Sequence, residues 1–162
     1  MSFTGASILS IEQFSLDDVE RIFAVADQMQ PFANRERVTK ALDGAILGNI
    51  FLEPSTRTRI SFGSAFNLLG GHVRETSDIS SSAFVKGESL QDSARILSGY
   101  SDIICLRHPT SGSVEKFAKH SRVPVINGGD GANEHPTQAL LDLFTIKKAV
   151  SYTHLRAHET RS

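Results

Sequence analysis

A chain of 162 residues, with 40% apolar and 22% charged side chains, suffices for one domain with its own core. A formal net charge of −1 excludes the basic excess that a nucleic-acid-coating or membrane-surface protein needs, though a local arginine cluster can still bind a small anion. One cysteine, no basic segment leading into a long apolar stretch, and no run near the roughly 18 to 20 apolar residues of a membrane span point to a protein without disulfide, signal peptide or membrane helix, in a reducing cytoplasm.

The spacing of Leu16, Val19, Ile22, Phe23 and Ala26 predicts a helix over residues 15–29, with Ser15 as N-cap and Asp17 and Asp18 in its first turn. Residues 45–52, after the Asp43-Gly44 turn signal, read as a buried strand. Ile60, Phe62, Phe66 and Leu69 predict a helix over 55–69, stopped by Gly70-Gly71, and 72–75 reads as a short strand. A helix over 88–100, a strand over 102–106, a helix over 114–120 and a strand over 123–126 follow. Cys105, inside the strand over 102–106, reads as a small buried hydrophobe. A Gly- and Asn-rich loop is expected over 127–134, then a helix over 136–148 with Leu140, Leu143, Phe144 and Lys147 on one side.

Alternating strands and helices imply an α/β fold, a mainly parallel sheet with helices on both faces. There is no internal repeat. Residues 149–162 show neither strand alternation nor a clear apolar face, and read as foreign or truncated sequence rather than as part of the domain formed by 1–148; a frayed native end is the alternative.

Three polar clusters each follow a predicted strand, and ligands of open parallel sheets bind at the carboxyl ends of strands. The first is Phe51-Leu52-Glu53-Pro54-Ser55-Thr56-Arg57-Thr58-Arg59. Hydroxyls and a guanidinium beside the free N–H groups of a helix start make a pocket shaped for phosphate, against the simpler alternative of N-capping by Ser55 or Thr56. The second is Arg107-His108-Pro109, where Arg107 either faces the same crevice or is a surface charge; His108 reads as structural. The third is His135-Pro136-Thr137-Gln138. Pro136 suits a first helical position, and Gln138 either completes a capping box or contacts a substrate amide. A fourth segment, Ser80 to Ser89 with Ser82, Val85 and Lys86, has the composition of a polar surface loop.

Ser55-Thr56-Arg57-Thr58-Arg59, Lys86-Gly87-Glu88-Ser89, Arg107-His108-Pro109 and His135-Pro136-Thr137-Gln138 occur in this order in the aspartate and ornithine carbamoyltransferases, which residues 8–148 therefore resemble. The stretch from His135 to Ile146 and the lysine before Gly87 look like the aspartate enzymes. The resemblance implies a carbamoyl-phosphate-binding domain in which Ser55, Thr56, Arg57 and Thr58 hold the phosphate. Arg107 would bridge phosphate and carbonyl oxygen, Thr58 and His135 would contact that oxygen, and Gln138 the carbamoyl amine. Arg57, Thr58, Lys86, Arg107 and His135 are the implied catalytic set. Ser82 and Lys86 match loop residues that reach a neighbouring subunit's site in a homotrimer, and Glu88 would order an arginine of the first motif. Val85 stands where a second basic residue commonly precedes the loop lysine.

The implied substrates are carbamoyl phosphate and L-aspartate, and the implied setting is pyrimidine biosynthesis. No metal or cofactor is expected, since the chain has neither a Cys/His metal spacing nor G-x-G-x-x-G. Nothing matches the second, acceptor-binding domain of the family. Two alternatives stay open: transfer to ornithine or another amine, and a non-catalytic homologue that only binds or assembles.

Overall fold

The computed structural model describes residues 2–76 and 88–159, with the side chains of 151–159 excepted. Four strands form one parallel sheet: β1 (Ile46–Phe51), β2 (His72–Thr76), β3 (Ile103–His108) and β4 (Val125–Asp130), in the order β2-β1-β3-β4. The helices are α1 (Leu16–Ala33), α2 (Thr56–Leu68), α3 (Leu90–Leu97), α4 (Ser113–Ala118) and α5 (Pro136–Glu159), with a short 3-10 turn at Ile11–Gln13. The α/β reading and the parallel sheet expected from sequence are what the chain forms.

Strand alternation sorts the side chains onto two faces. Ile50, Leu52, Ile104, Leu106 and Val125 meet Ala94 of α3 and Val114 and Phe117 of α4 on one face. Leu47, Phe51 and Cys105 meet Phe62 and Phe66 of α2 on the other. Helices therefore cover both faces. Cys105 is fully buried, and desolvation drives its thiol pKa far above the usual range, which keeps it unreactive as the sequence suggested. α1 packs on α5 through Phe23 and Phe144, whose rings meet edge to face with centroids 5.2 Å apart. Ion pairs Lys147–Glu20 and Lys148–Asp27 flank that contact.

The strand order reverses at β1. From β1 the chain passes through α2 to β2 on one side, and then through α3 to β3 on the other. The two crossovers leave a crevice beyond the carboxyl ends of β1 and β3, the place where open α/β sheets bind ligands.

Several boundaries depart from the sequence reading. α1 continues past Met29 to Ala33, with Pro31 in its last turn, so the one hydrogen bond to the preceding turn that a proline removes is lost at the helix end rather than in its middle. β3 runs on to His108 rather than ending at Leu106. β4 spans Val125–Asp130, so the supposed loop over 127–134 is strand up to Asp130. Asn127, Gly128 and Gly129 have the composition of a loop, yet they are buried in β4, where Asn127 pairs with Leu106 and Asp130 with His108 and the two glycines form the irregularity between those pairs. The last helix does not stop at 148 but continues to Glu159; residues 149–159 contain neither Gly nor Pro to break it.

Phe117 is 0% exposed and sits in the larger core cluster, whereas Leu16 is 85% exposed. Phe117→Ala is expected to cost about 3–5 kcal/mol in urea unfolding, and Leu16→Ala less than about 0.5 kcal/mol.

Candidate functional site

An open cleft of about 980 Å³ lies at the strand-order reversal, lined by Ser55, Thr56, Arg57, Thr58, Arg107, His135 and Gln138 among others. Seven of the nine residues singled out in the sequence thus share one cavity. The other two, Ser82 and Lys86, lie outside the described residues.

The first cluster arrives on β1. Ser55 is the N-cap of α2 in extended conformation, but its side chain makes no capping hydrogen bond. Simple capping by Ser55 is therefore not its use here, and its hydroxyl stands in the cleft beside the free N–H groups of the helix start. No acidic residue occupies the first turn of α2. Arg57 is exposed and has no ion-pair partner among the described residues. A bound anion is the charge this turn lacks.

Arg107 comes from β3. Its backbone pairs with Phe51 across the parallel ladder, and its carbonyl accepts from Leu52 N–H at 2.9 Å. Its Nε donates to Glu53 Oε2 at 3.1 Å and one terminal nitrogen donates to the Gly128 carbonyl at 3.2 Å. The head group is thus held from two sides while it lines the cleft. Sequence reasoning assigned no role to Glu53 or Gly128. Glu53 was legible as an acid one strand away from Arg107, both at strand ends.

Two glycines make room for this arrangement. A Cβ at Gly128 would lie 3.0 Å from the Cys105 sulfur, and one at Gly129, where φ is 124°, would lie 2.6 Å from a terminal nitrogen of Arg107. Of these two strand glycines, Gly129 leaves space for the guanidinium and Gly128 for the Cys105 sulfur beneath it.

His135 is the residue before α5, and Pro136, fully buried, takes the first helical position. Glu134 anchors this entry by accepting from Ser10 Oγ at 2.8 Å and Ile11 N–H at 3.2 Å. Burial lowers the His135 pKa from 6.5, the Arg107 charge pushes the same way, and the His135 backbone and Asp142 oppose them. The ring is therefore neutral at pH 7. Its Nδ1 lies 3.3 Å from Thr137 Oγ1; with that nitrogen accepting from the hydroxyl, Nε2 carries the proton and is a donor.

Gln138 does not complete a capping box. Its Nε2 donates to Asp142 Oδ1 at 2.9 Å, which leaves its carbonyl oxygen for a donor in the cleft. Among the described residues no ion pair joins Glu88 to an arginine of the first motif, and Arg59 pairs with Glu75 at 3.6 Å. His108 is structural, as expected: its Nδ1 accepts from Thr110 N–H at 3.0 Å.

The family model for the aspartate/ornithine carbamoyltransferase carbamoyl-P binding domain matches residues 6–148. The aspartate carbamoyltransferase catalytic subunit of Saccharophagus degradans is 71% identical over 148 residues, which is 91% of this chain and 44% of that protein. Its counterpart in Methanocaldococcus jannaschii is 46% identical over 143 residues, 88% of this chain and 47% of that protein. The aspartate transcarbamoylase of Trypanosoma cruzi, solved in complex with carbamoyl phosphate and aspartate, superposes with a TM-score of 0.83 at 41% identity, over 89% of this chain and 47% of that one. The chain spans just under half the length of the curated relatives it matches.

The NMR titration midpoint of His135 is expected below 6.5, and Arg107→Gln is expected to move it upward, because burial remains while the nearby positive charge is gone. A midpoint at or above 6.5 in the unsubstituted chain would contradict the lowering of the His135 pKa by burial and Arg107. Gly129→Ala, by displacing the Arg107 guanidinium, is expected to weaken inorganic phosphate binding roughly fivefold or more in calorimetric titration.

Proposed function

The chain belongs to the aspartate/ornithine carbamoyltransferase family, as its carbamoyl-phosphate-binding domain, and from that premise we propose that its cleft holds carbamoyl phosphate and that the whole protein carbamoylates the amine of L-aspartate. The observation that carries this reading is the convergence of a hydroxyl-lined helix start, Arg107, His135 and Gln138 in one cleft, from three separate segments of chain.

Ser55, Thr56, Arg57 and Thr58 receive the phosphate at the start of α2. Arg107 reaches both the phosphate and the carbonyl oxygen, Thr58 and the His135 Nε2–H reach that oxygen, and the Gln138 carbonyl accepts from the carbamoyl amine. The aspartate amine attacks the carbamoyl carbon, the carbonyl electrons move onto oxygen, and a tetrahedral intermediate forms. Its collapse restores the carbonyl, breaks the bond to the phosphate oxygen and expels phosphate. The attacking nitrogen gives up a proton, which the departing phosphate accepts, and the products are N-carbamoyl-L-aspartate and phosphate.

Negative charge grows on the carbonyl oxygen and on the leaving phosphate, where fixed cationic and N–H donors are worth about 3–4 kcal/mol each when removed. A neutral His135 suits this scheme, because it donates a hydrogen bond without adding a third positive charge beside Arg57 and Arg107. The chemistry calls for no metal, cofactor or covalent enzyme intermediate.

The remaining parts of the proposal rest on family membership. Ser82 and Lys86 complete a neighbouring subunit's cleft in a homotrimer, the acceptor site lies on a second domain, and the reaction serves pyrimidine biosynthesis. A cytoplasmic location is consistent with one buried, unreactive cysteine; no helix among the described residues is long and apolar enough to cross a membrane. The family match over residues 6–148 supports a domain that ends near 148, with 149–162 read as foreign or truncated sequence.

Calorimetric titration with carbamoyl phosphate is the test. Binding is expected, and Arg57→Ala is expected to weaken it at least tenfold, in line with loss of about 1.5–3 kcal/mol for hydrogen bonds to a charged group. Equal binding by both proteins would remove the phosphate from the start of α2.

A further inference from the structure

Asn49 lies on β1 between Leu47 and Phe51 and, like them, faces α2. It is 0% exposed. An amide in an apolar cluster is costly unless fully hydrogen-bonded. This one is not: its Nδ2 donates to the Arg59 carbonyl at 3.0 Å and to Glu75 Oε1 at 3.3 Å, while its Oδ1 has no partner among the described residues. Reversing the amide is no remedy. Both neighbours are acceptors, so only the nitrogen can face them. A leucine of similar shape would suit the core better, and Asn49 therefore calls for a reason outside the core.

The bonds it makes supply one. Arg59 lies directly after Ser55–Thr58, in the first turns of α2. Its carbonyl already serves the helix ladder, and Asn49 uses the second lone pair to pin that turn to the sheet. Glu75 is the register partner of Asn49 on β2, and it holds the Arg59 guanidinium at 3.6 Å. One turn further on, Gly63 lets the group close, since a Cβ there would lie 3.3 Å from Glu75 Oε1 and 3.7 Å from Asn49 Nδ2. The backbone and side chain of Arg59 are thus both tied down, by residues from two strands, immediately beside the phosphate-facing turn.

We propose that Asn49, backed by Glu75, is a positioning residue that fixes the height and rotation of the anion-binding turn of α2 over the sheet, at a cost to the stability of the core. Neither residue lines the cleft, and each acts through Arg59. This rests on the reading of Ser55–Thr58 as the phosphate cradle.

The test uses the full 162-residue chain, calorimetric titration with inorganic phosphate and with carbamoyl phosphate, and urea unfolding of each variant. Asn49→Leu is expected to be as stable as the parent or more so, while both ligands bind roughly fivefold more weakly. Glu75→Gln keeps an acceptor for Asn49 and is expected to bind within about twofold of the parent; Glu75→Ala, on a more exposed strand, is expected to lose roughly threefold without unfolding. Asn49→Leu combined with Glu75→Ala is expected to lose less affinity than the two single losses multiplied, because both residues act through Arg59. Parent-like affinity in Asn49→Leu, or in Glu75→Ala should the first variant not fold, overturns the proposal. So does an affinity loss that merely tracks a loss of stability. A parent chain that binds neither ligand sinks the cradle itself, and this inference with it.

Discussion

The parallel ladder between β1 and β3 is the constraint on which the site depends. It sets Phe51 opposite Arg107 and lets the Arg107 carbonyl receive the Leu52 N–H, so the strand ends finish side by side. From that shared edge one chain segment turns into α2 and the other presents a guanidinium. Because strand order reverses at β1, no crossover helix fills the space between them. Anion chemistry then needs little further construction. A helix start supplies N–H groups and partial positive charge, and Arg107 supplies directed donors.

What surrounds Arg107 shows how a flexible side chain becomes a fixed one. Glu53 and the Gly128 carbonyl take two of its donors, and Gly129 offers bare backbone where any side chain would collide. Long side chains lose rotamer freedom when they bind. Holding the guanidinium in advance transfers that loss from the binding step to folding, where it is spread over the whole core. His135 is treated the same way: its approach is fixed by Pro136 in the core and by Glu134 bound to the N-terminal segment.

Much of this was legible in the sequence, for identifiable reasons. Ser15 followed by Asp18 is a local capping signal, and it forms as written. Ser55 to Thr58, Arg107, His135 and Gln138 stood out because each polar group follows an apolar strand, and strand ends are where such groups meet. The illegible parts depend on pairing between distant segments. Gly128 and Gly129 signal a loop by composition and lie within β4 because the residues that flank them, Asn127 and Asp130, pair with Leu106 and His108 of β3. Glu75 looks like a solvated charge on an edge strand until its partner, Asn49, is known. The end of the last helix was misjudged for a different reason: helix continuation needs only the absence of a breaker, whereas an apolar face governs packing.

The contact between Phe23 and Phe144 gives α5 the mechanics of a beam resting on a support. Nine residues separate Phe144 from His135, a span of about 14 Å at the rise of an α-helix. The aromatic pair and the flanking lysine–carboxylate pairs therefore brace α5 more than two turns beyond its entry into the cleft. Residues outside the cleft thereby share in supporting the helix that carries Gln138, together with β4 and the 3-10 turn at Ile11–Gln13.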